Sequence, residues 1–232
     1  MASFYRGTLV NTARASSHEL RASPNGRIAP IVFVVDGDGS VRQSLERLIQ
    51  GEGWQPEVFA CAREFLSHPR EPAPSCLVLD VTLPDLNGLD LQKLVADRIE
   101  MAVIFITAHA DVRTTVRALK AGAVDFLTKP IRNEVLLGAI RHAIERSHAA
   151  LCHEALIRPL RERYTSLSRR EREVMGLVVS GRLNKEVGGE LGISEITVQA
   201  HRGRVMQKMR ADSLAGLVNM AARLSLTPAP RD

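Results

Sequence analysis

The sequence predicts two domains, an α/β domain built on a parallel sheet and, after it, a separate all-α domain. Three observations carry this expectation. Apolar runs at 31–35, 76–79 and 103–106 are continuous rather than alternating, as in strands buried on both faces of a parallel sheet. Apolar residues at helical spacing follow, as Val41, Leu45, Leu48 and Ile49 do after the first run. From about residue 166 the strand-like runs cease, and short helical patterns punctuated by Ser, Asn and Gly take over.

Strands are expected at 31–35, 55–60, 76–80, 103–107 and 125–128, with helices near 39–50, 62–67, 88–98, 111–121 and from about 131. Five such units imply a parallel sheet with helices on both faces. The last helix runs on past the domain, because Leu137, Ile140, Ile144, Leu151 and Ala155 recur at three-, four- and seven-residue spacings, and Pro159 is expected to end it. Residues 149–165 thus read as a basic helical linker, able to transmit orientation between domains or to pair with its copy in a dimer. In the second domain, 166–232, Ser168 and Glu171 spell a capping box and Gly181 closes that helix. Asn184 is expected to cap a helix ending at Leu191, Gly192-Ile193-Ser194 turns the chain, and helices follow at 195–209 and 213–224. Residues 1–29 are rich in Ser, Ala and Arg without a continuous apolar stretch, which points to a disordered extension rather than a secretory signal.

The net charge is +5, but it is unevenly spread. Residues 30–145 carry 12 Lys and Arg against 16 Asp and Glu, a balance of −4, whereas 166–232 carry 11 against 7, a balance of +4. An acidic first domain and a basic second one suggest different partners, nucleic acid being compatible with the second. No run of about 18 apolar residues marks a membrane span. Cys61, Cys76 and Cys152 are scattered without a CxxC pair, which argues against a zinc site or disulfide framework and for a reducing cytoplasm.

Polar residues close the apolar runs: Asp36 with Asp38 after the first, Asp80 after the third, Thr107 after the fourth and Lys129 after the fifth. Ligands bind at the carboxyl ends of strands in open α/β sheets, so two or three carboxylates, a hydroxyl and an amine are expected on one rim. Carboxylates hold a hard divalent cation, an Asp oxygen can accept a phosphoryl group, and a hydroxyl with an ammonium can bind its oxygens. Val35-Asp36, the loop Asp80-Val81-Thr82-Leu83-Pro84-Asp85-Leu86-Asn87-Gly88, Thr107-Ala108 and the stretch from Gly122 to Pro130 together resemble a bacterial response-regulator receiver domain over 30–148. The resemblance implies a flavodoxin-like sheet of order 2-1-3-4-5, Asp80 as phosphoacceptor, Mg²⁺ on Asp36, Asp80 and the Thr82 carbonyl, and Thr107, Phe126 and Lys129 as switch and phosphate-binding residues. One position departs. Gly37 stands where the family carries the acid that binds Mg²⁺ directly, so weak Mg²⁺ binding is expected, with Asp38 as a possible replacement ligand.

The second domain resembles the LuxR/NarL-type DNA-binding domain in Leu167-Ser168-Arg169-Arg170-Glu171-Arg172-Glu173-Val174-Met175, Asn184-Lys185-Glu186-Val187, Leu191-Gly192-Ile193-Ser194, Thr197-Val198, His201-Arg202 and Met206-Gln207-Lys208-Met209. Joined to a receiver, it looks like the FixJ branch of two-component regulators. That implies double-stranded DNA, a sensor histidine kinase and, in the active state, a second copy of the chain as partners, with regulation rather than catalysis as the function. On the recognition helix, Gln199 can read adenine, while Ala200 and Gly203 share its exposed face. Lys185, Arg202, Arg204 and Lys208 suit phosphate, as does Thr197 at the helix start. Gly188-Gly189 costs the preceding helix about 1 kcal/mol per glycine against Ala, which leaves it soft or lets another segment approach closely.

Two alternatives stand beside this reading. The receiver match allows a degenerate module whose DNA binding ignores phosphate. Asp36-Gly37-Asp38-Gly39-Ser40 also resembles the nucleophile motif of haloacid-dehalogenase phosphatases, with Asp36 as nucleophile and Asp38 as acid/base. No paired carboxylates close a later strand to complete that site, and the Asp80 loop and second domain stay unexplained by it.

Overall fold

The computed structural model describes residues 29–69, 73–109 and 111–226. All of the expected 1–29 extension except Ala29 lies outside them. Five parallel strands, β1 (Ile31–Val35), β2 (Gln55–Phe59), β3 (Ser75–Asp80), β4 (Met101–Thr107) and β5 (Asp125–Thr128), form one sheet of order β2-β1-β3-β4-β5. Helices α1 (Gly39–Gly51), α2 (Ala62–Leu66), α3 (Gly88–Leu94), α4 (Val112–Lys120) and the start of α5 (Asn133–Thr165) alternate with the strands.

Alternate side chains of a strand enter opposite faces, which makes two cores. Ile31, Phe33 and Val35 pack with Phe65, Leu91 and Phe105, while Val32 and Val34 pack with Ile49, Leu136 and Ile140. Burial on both faces is why these strands read as unbroken apolar runs. Pro56 is tolerated because β2 is an edge strand. Side chains of Asp38, Asn87 and Asp111 cap α1, α3 and α4.

Helix α5 does not stop at Pro159 but runs through it to Thr165. A proline inside a helix costs about 3 kcal/mol or more. Here buried Ile157 and Leu160 flank it. Farther on, the Arg163 guanidinium donates to the Met209 carbonyl at 3.3 Å, and Tyr164 packs on the core that holds Leu167, Met175 and Met209. Tertiary packing offsets the local penalty, and the end of the expected linker is built into the second domain.

That domain comprises α6 (Arg169–Val179), α7 (Asn184–Leu191), α8 (Glu195–Met209) and α9 (Leu214–Arg223). Ser168 and Glu171 form the expected capping box. The α7 cap differs from expectation. Leu183 precedes the helix, its N–H donates to the Glu186 carboxylate at 2.7 Å, and Asn184 is the first helical residue. Gly192, at φ +65°, ends α7. A Cβ on Gly188 would lie 2.7 Å from the Ile193 carbonyl oxygen, so this glycine permits the tight turn between α7 and α8, whereas a Cβ on Gly189 would meet open space.

Candidate functional site

At the carboxyl ends of β1, β3 and β5 three side chains converge. Asp36 is 1% exposed and Asp80 9%. The Lys129 ammonium lies between them, 2.6 Å from Asp36 Oδ2 and 2.7 Å from Asp80 Oδ2. The second oxygens are also held, since the Asp38 N–H donates to Asp36 Oδ1 at 2.8 Å and the Thr82 N–H to Asp80 Oδ1 at 3.0 Å. Burial alone would lower the Lys129 pKa, but its hydrogen bonds to both carboxylates and their charges outweigh that, so the pKa is raised. The ammonium is therefore fixed as a cation beside two buried acids.

Backbone geometry aims the parts. Lys129 is placed by β5, where its N–H donates to the Thr107 carbonyl at 2.8 Å, and a cis peptide bond to Pro130 follows. Gly88 lets α3 start against the Asp80 loop, because a Cβ there would collide with the Asp80 carbonyl oxygen. Thr107 is buried, and its hydroxyl bonds within its own loop, donating to the His109 carbonyl at 3.1 Å and accepting from the His109 N–H at 3.2 Å. Phe126 is partly buried, its ring centroid 5.9 Å from that of Phe105.

Asp38 caps α1 beside this centre. Its carboxylate accepts from the Ser40 hydroxyl at 2.7 Å and the Ser40 N–H at 2.8 Å, and these bonds hold its pKa below the usual carboxylate range. Its carboxylate caps the helix in this arrangement. Gly37 contributes no side chain, and among the described residues no group of three His, Cys, Asp or Glu side chains is arranged to hold a metal. Asp36, Asp80 and the Thr82 carbonyl still suit a hard cation with few protein ligands, in competition with Lys129. Sequence reasoning missed Arg42, whose guanidinium donates to the Asp36 carbonyl at 2.7 Å and braces the end of β1. Its signal was weak, a lone Arg one turn into α1.

The second candidate surface is α8. Ser194 caps it by accepting from the Thr197 N–H, and the two hydroxyls lie 2.8 Å apart. Val198, Val205 and Met209 are buried, which turns Gln199, Ala200, Gly203 and Arg204 outward. Ile196, 80% exposed, shares that face at helical spacing and was missed by the sequence reading, although it lies three residues before Gln199. Lys185 is exposed on α7. Arg202 donates to the Asn184 side chain at 3.2 Å, and His201 is partly buried. Lys208, expected on phosphate, is exposed and pairs with buried Glu171 at 2.6 Å, which depresses the Glu171 pKa, and also donates to the Ser166 carbonyl. That pair ties α8 to α6.

Comparison with known proteins sets these two surfaces in a family. Residues 32–141 match the family model described as response regulator receiver domain, and 165–221 match bacterial regulatory proteins, luxR family. Nodulation protein W of Bradyrhizobium diazoefficiens is 47% identical over 85% of this chain and 87% of its own. Transcriptional regulatory protein FixJ of Rhizobium meliloti is 39% identical over 82% and 94%. The chain belongs to the two-component response regulators. A low-resolution structure of response regulator StyR superimposes on it with a TM-score of 0.67 at 42% identity, covering 84% of this chain and 99% of that one. As a response regulator with a LuxR-type domain it is a DNA-binding regulator of transcription. Among the described residues no helix is long and apolar enough to cross a membrane.

Proposed function

We propose that this response regulator works in the cytoplasm, is switched by phosphorylation of Asp80, and binds double-stranded DNA as a homodimer. The observation that carries the reading is the Lys129 ammonium fixed between Asp36 and Asp80 at the strand ends. An Asp80 oxygen takes the phosphoryl group from a phosphohistidine of a sensor kinase, the P–N bond breaking as the P–O bond forms. Lys129 follows the new phosphoryl oxygens, and the Thr107 hydroxyl leaves His109 to join it. That movement frees space for Phe126 and alters the α4 face, where Val112, Val116 and Leu119 are exposed and suited to pairing with a second copy. Bound Mg²⁺ supplies charge neutralisation for the incoming phosphoryl oxygens. Asp36, Asp80 and Thr82 would hold it weakly, because Gly37 removes one ligand and Lys129 competes for the rest.

On DNA, Gln199 reads a base edge and Ala200 and Ile196 offer apolar contact to a thymine methyl, with Gly203 allowing close approach. Lys185, Arg202, Arg204 and Thr197 hold the phosphates. A second reading, DNA binding independent of phosphate, is favoured by the same pocket, whose two carboxylates are already bridged and half neutralised by Lys129.

Acetyl phosphate with Mg²⁺ tests the choice, read by intact mass, oligomer size and DNA affinity. Switching predicts a phosphorylated dimer of higher affinity and its loss in Asp80→Asn. A protein that dimerises and binds DNA equally with and without phosphate supports the second reading. A Cβ on Gly37 would approach only Pro84, at an ordinary 3.5 Å, so Gly37→Asp fits. That variant is expected to bind Mg²⁺ more tightly and to phosphorylate faster, and equal values in the two proteins would overturn the argument from ligand count.

A further inference from the structure

Helix α5 is gripped at both ends and free between them. Ala143 and Ser147 are the last buried residues of its first half, and Ile157 and Leu160 are buried near its end. From His148 to Leu156 no residue is buried. At 3.6 residues per turn each residue turns a helix by about 100°. Cys152 therefore lies on the opposite side of α5 from Ala143, and about 140° from both Ser147 and Ile157. The face that carries it points away from the packed side of the helix.

His148 and Cys152 stand one turn apart on that face, and both are exposed. The Cys152 Sγ lies 3.8 Å from His148 Nε2 and 3.9 Å from Nδ1. Neither side chain has another partner among the described residues. Their separation is close to that of two ligands on one metal ion. Tetrahedral zinc, with a Zn–S bond of about 2.3 Å and a Zn–N bond of about 2.0–2.1 Å, sets sulfur and nitrogen about 3.6 Å apart. A thiolate with an imidazole suits zinc, whereas magnesium and calcium take oxygen ligands. Glu145, exposed one turn before His148, adds negative charge to the same face.

Two ligands leave a tetrahedral ion two short. Within one chain no third His, Cys, Asp or Glu among the described residues completes the set. A second copy does, because a two-fold pairing brings the same two residues from each chain. The sequence is spaced for that pairing. His148, Cys152, Ala155 and Pro159 follow one another at steps of four, three and four residues, the seam spacing of helices packed side by side in parallel. Ala149 and Ala155 beside the pair are small and exposed, so two backbones can approach closely. Leu156, one turn beyond Cys152, is 65% exposed and gains burial against a second helix.

We propose that His148 and Cys152 of two copies together bind one zinc ion, through two imidazoles and two thiolates, and so pair the α5 helices in parallel. Each thiol releases its proton to solvent as its sulfur binds, so binding tightens as pH rises. The pairing needs no phosphate on Asp80. It holds the second domains of two copies together, which raises the effective concentration of one α8 once the other is on DNA.

The test uses the untagged full-length protein under a non-thiol reductant, with zinc or cobalt ions alone as probes. Calorimetry is expected to show one zinc ion per two chains, and sedimentation a doubling of mass that a chelator reverses. Cobalt is expected to give a thiolate charge-transfer absorption. His148→Gln and Cys152→Ser, both at exposed positions, should each weaken zinc binding by at least about tenfold, and Cys152→Ser should also remove the cobalt absorption. His153→Gln and Cys61→Ser are expected to keep binding and pairing. Asp80→Asn is expected to keep them too, which separates this site from the switch. One ion per single chain, no binding at micromolar zinc, a mass that zinc leaves unchanged, undiminished binding in Cys152→Ser, or loss of pairing in Asp80→Asn overturns the proposal.

Discussion

At the rim of the receiver sheet Asp36, Asp80 and Lys129 are largely buried and paired with one another, whereas on α8 the side chains of Gln199 and Arg204 are exposed. Around Asp80 each carboxylate oxygen of the pair, and the ammonium between them, has a partner at hydrogen-bond distance. On α8, Gln199, Ala200, Gly203 and Arg204 point outward, and the charge that is paired, Lys208, is the one that serves the scaffold. The difference follows from the two tasks. A switch must hold a defined resting arrangement that a new charge can displace, so its stability is stored in the site. A reader must leave donors and acceptors for a partner, so its stability is stored beneath the site, in Val198, Val205 and Met209. Substitutions in the first region should therefore change folding as well as function, and those on the face of the second should change function alone.

The strongest way to break this contrast is Lys129→Ala. It leaves two buried carboxylates facing each other, and removing one partner of a buried ion pair costs about 3–5 kcal/mol. Urea unfolding of the full chain should show that loss in the receiver transition, with the second domain unaffected. The pH dependence carries the same sign. Because the folded pKa of Lys129 is raised, its contribution is complete below the unfolded value of about 10.4 and fades as pH rises through the folded value. A receiver whose stability is flat from pH 9 to pH 12 would remove Lys129 from the resting arrangement.

Next in size is Gly188→Ala. The added Cβ would lie 2.7 Å from a backbone oxygen, which cannot move aside as a flexible side chain does. Overpacking of this kind costs about 1–3 kcal/mol. Thermal unfolding should show the loss in the second domain, with DNA affinity falling because the turn sets the angle of α8. Unchanged stability would mean that the α7–α8 approach is looser than described.

Gln199→Ala should do the converse. Stability is expected to stay within about 0.5 kcal/mol, as for surface substitutions. Preference at one base pair should relax by about 1–3 kcal/mol. Lys185→Ala or Arg204→Ala should weaken all sequences alike and reduce the salt slope by about one unit. A binding-site selection profile that is identical for Gln199→Ala and the parent would show that another face of α8 enters the groove.

The same contrast explains what could be read from the amino-acid sequence. The strand ends were legible because burial on both faces writes an unbroken apolar run, and a polar residue that closes such a run lies at the rim of the sheet. Asp36, Asp80 and Lys129, read this way, meet in the structure, whereas Thr107 bonds within its own loop, and the strand order came with the family resemblance. The course of α5 was not legible, because a local rule at Pro159 is outweighed by Ile157, Leu160 and the contacts of Arg163 and Tyr164 with residues far along the chain. The intramolecular partners of Asp38 and Lys208 were not legible for a related reason. Charge type is written in the sequence, but the partner that claims the charge, Ser40 in one case and Glu171 in the other, is set by the direction of the side chain. Ile196 escaped because an apolar residue at the start of a helix reads as core until the helix is turned and its exposed face counted.

Gly189 offers the smallest effect and the finest test of where stability is stored. It neighbours Gly188 in α7, yet it is exposed, and a Cβ there would meet nothing within 4 Å. No positive φ binds it to glycine. Replacing it with Ala therefore removes backbone freedom from the unfolded chain without adding a clash, and a mid-helix exchange of this kind is worth about 0.5–1 kcal/mol in favour of Ala. Gly189→Ala is thus expected to raise the unfolding midpoint of the second domain while leaving the base preference of α8 untouched. The double variant with Gly188→Ala separates the two effects, because the gain at Gly189 should persist when the clash at Gly188 is present. A Gly189→Ala protein that is less stable than its parent would show that α7 must stay pliable at this point, and that its softness rather than the close approach at Gly188 is what the paired glycines provide.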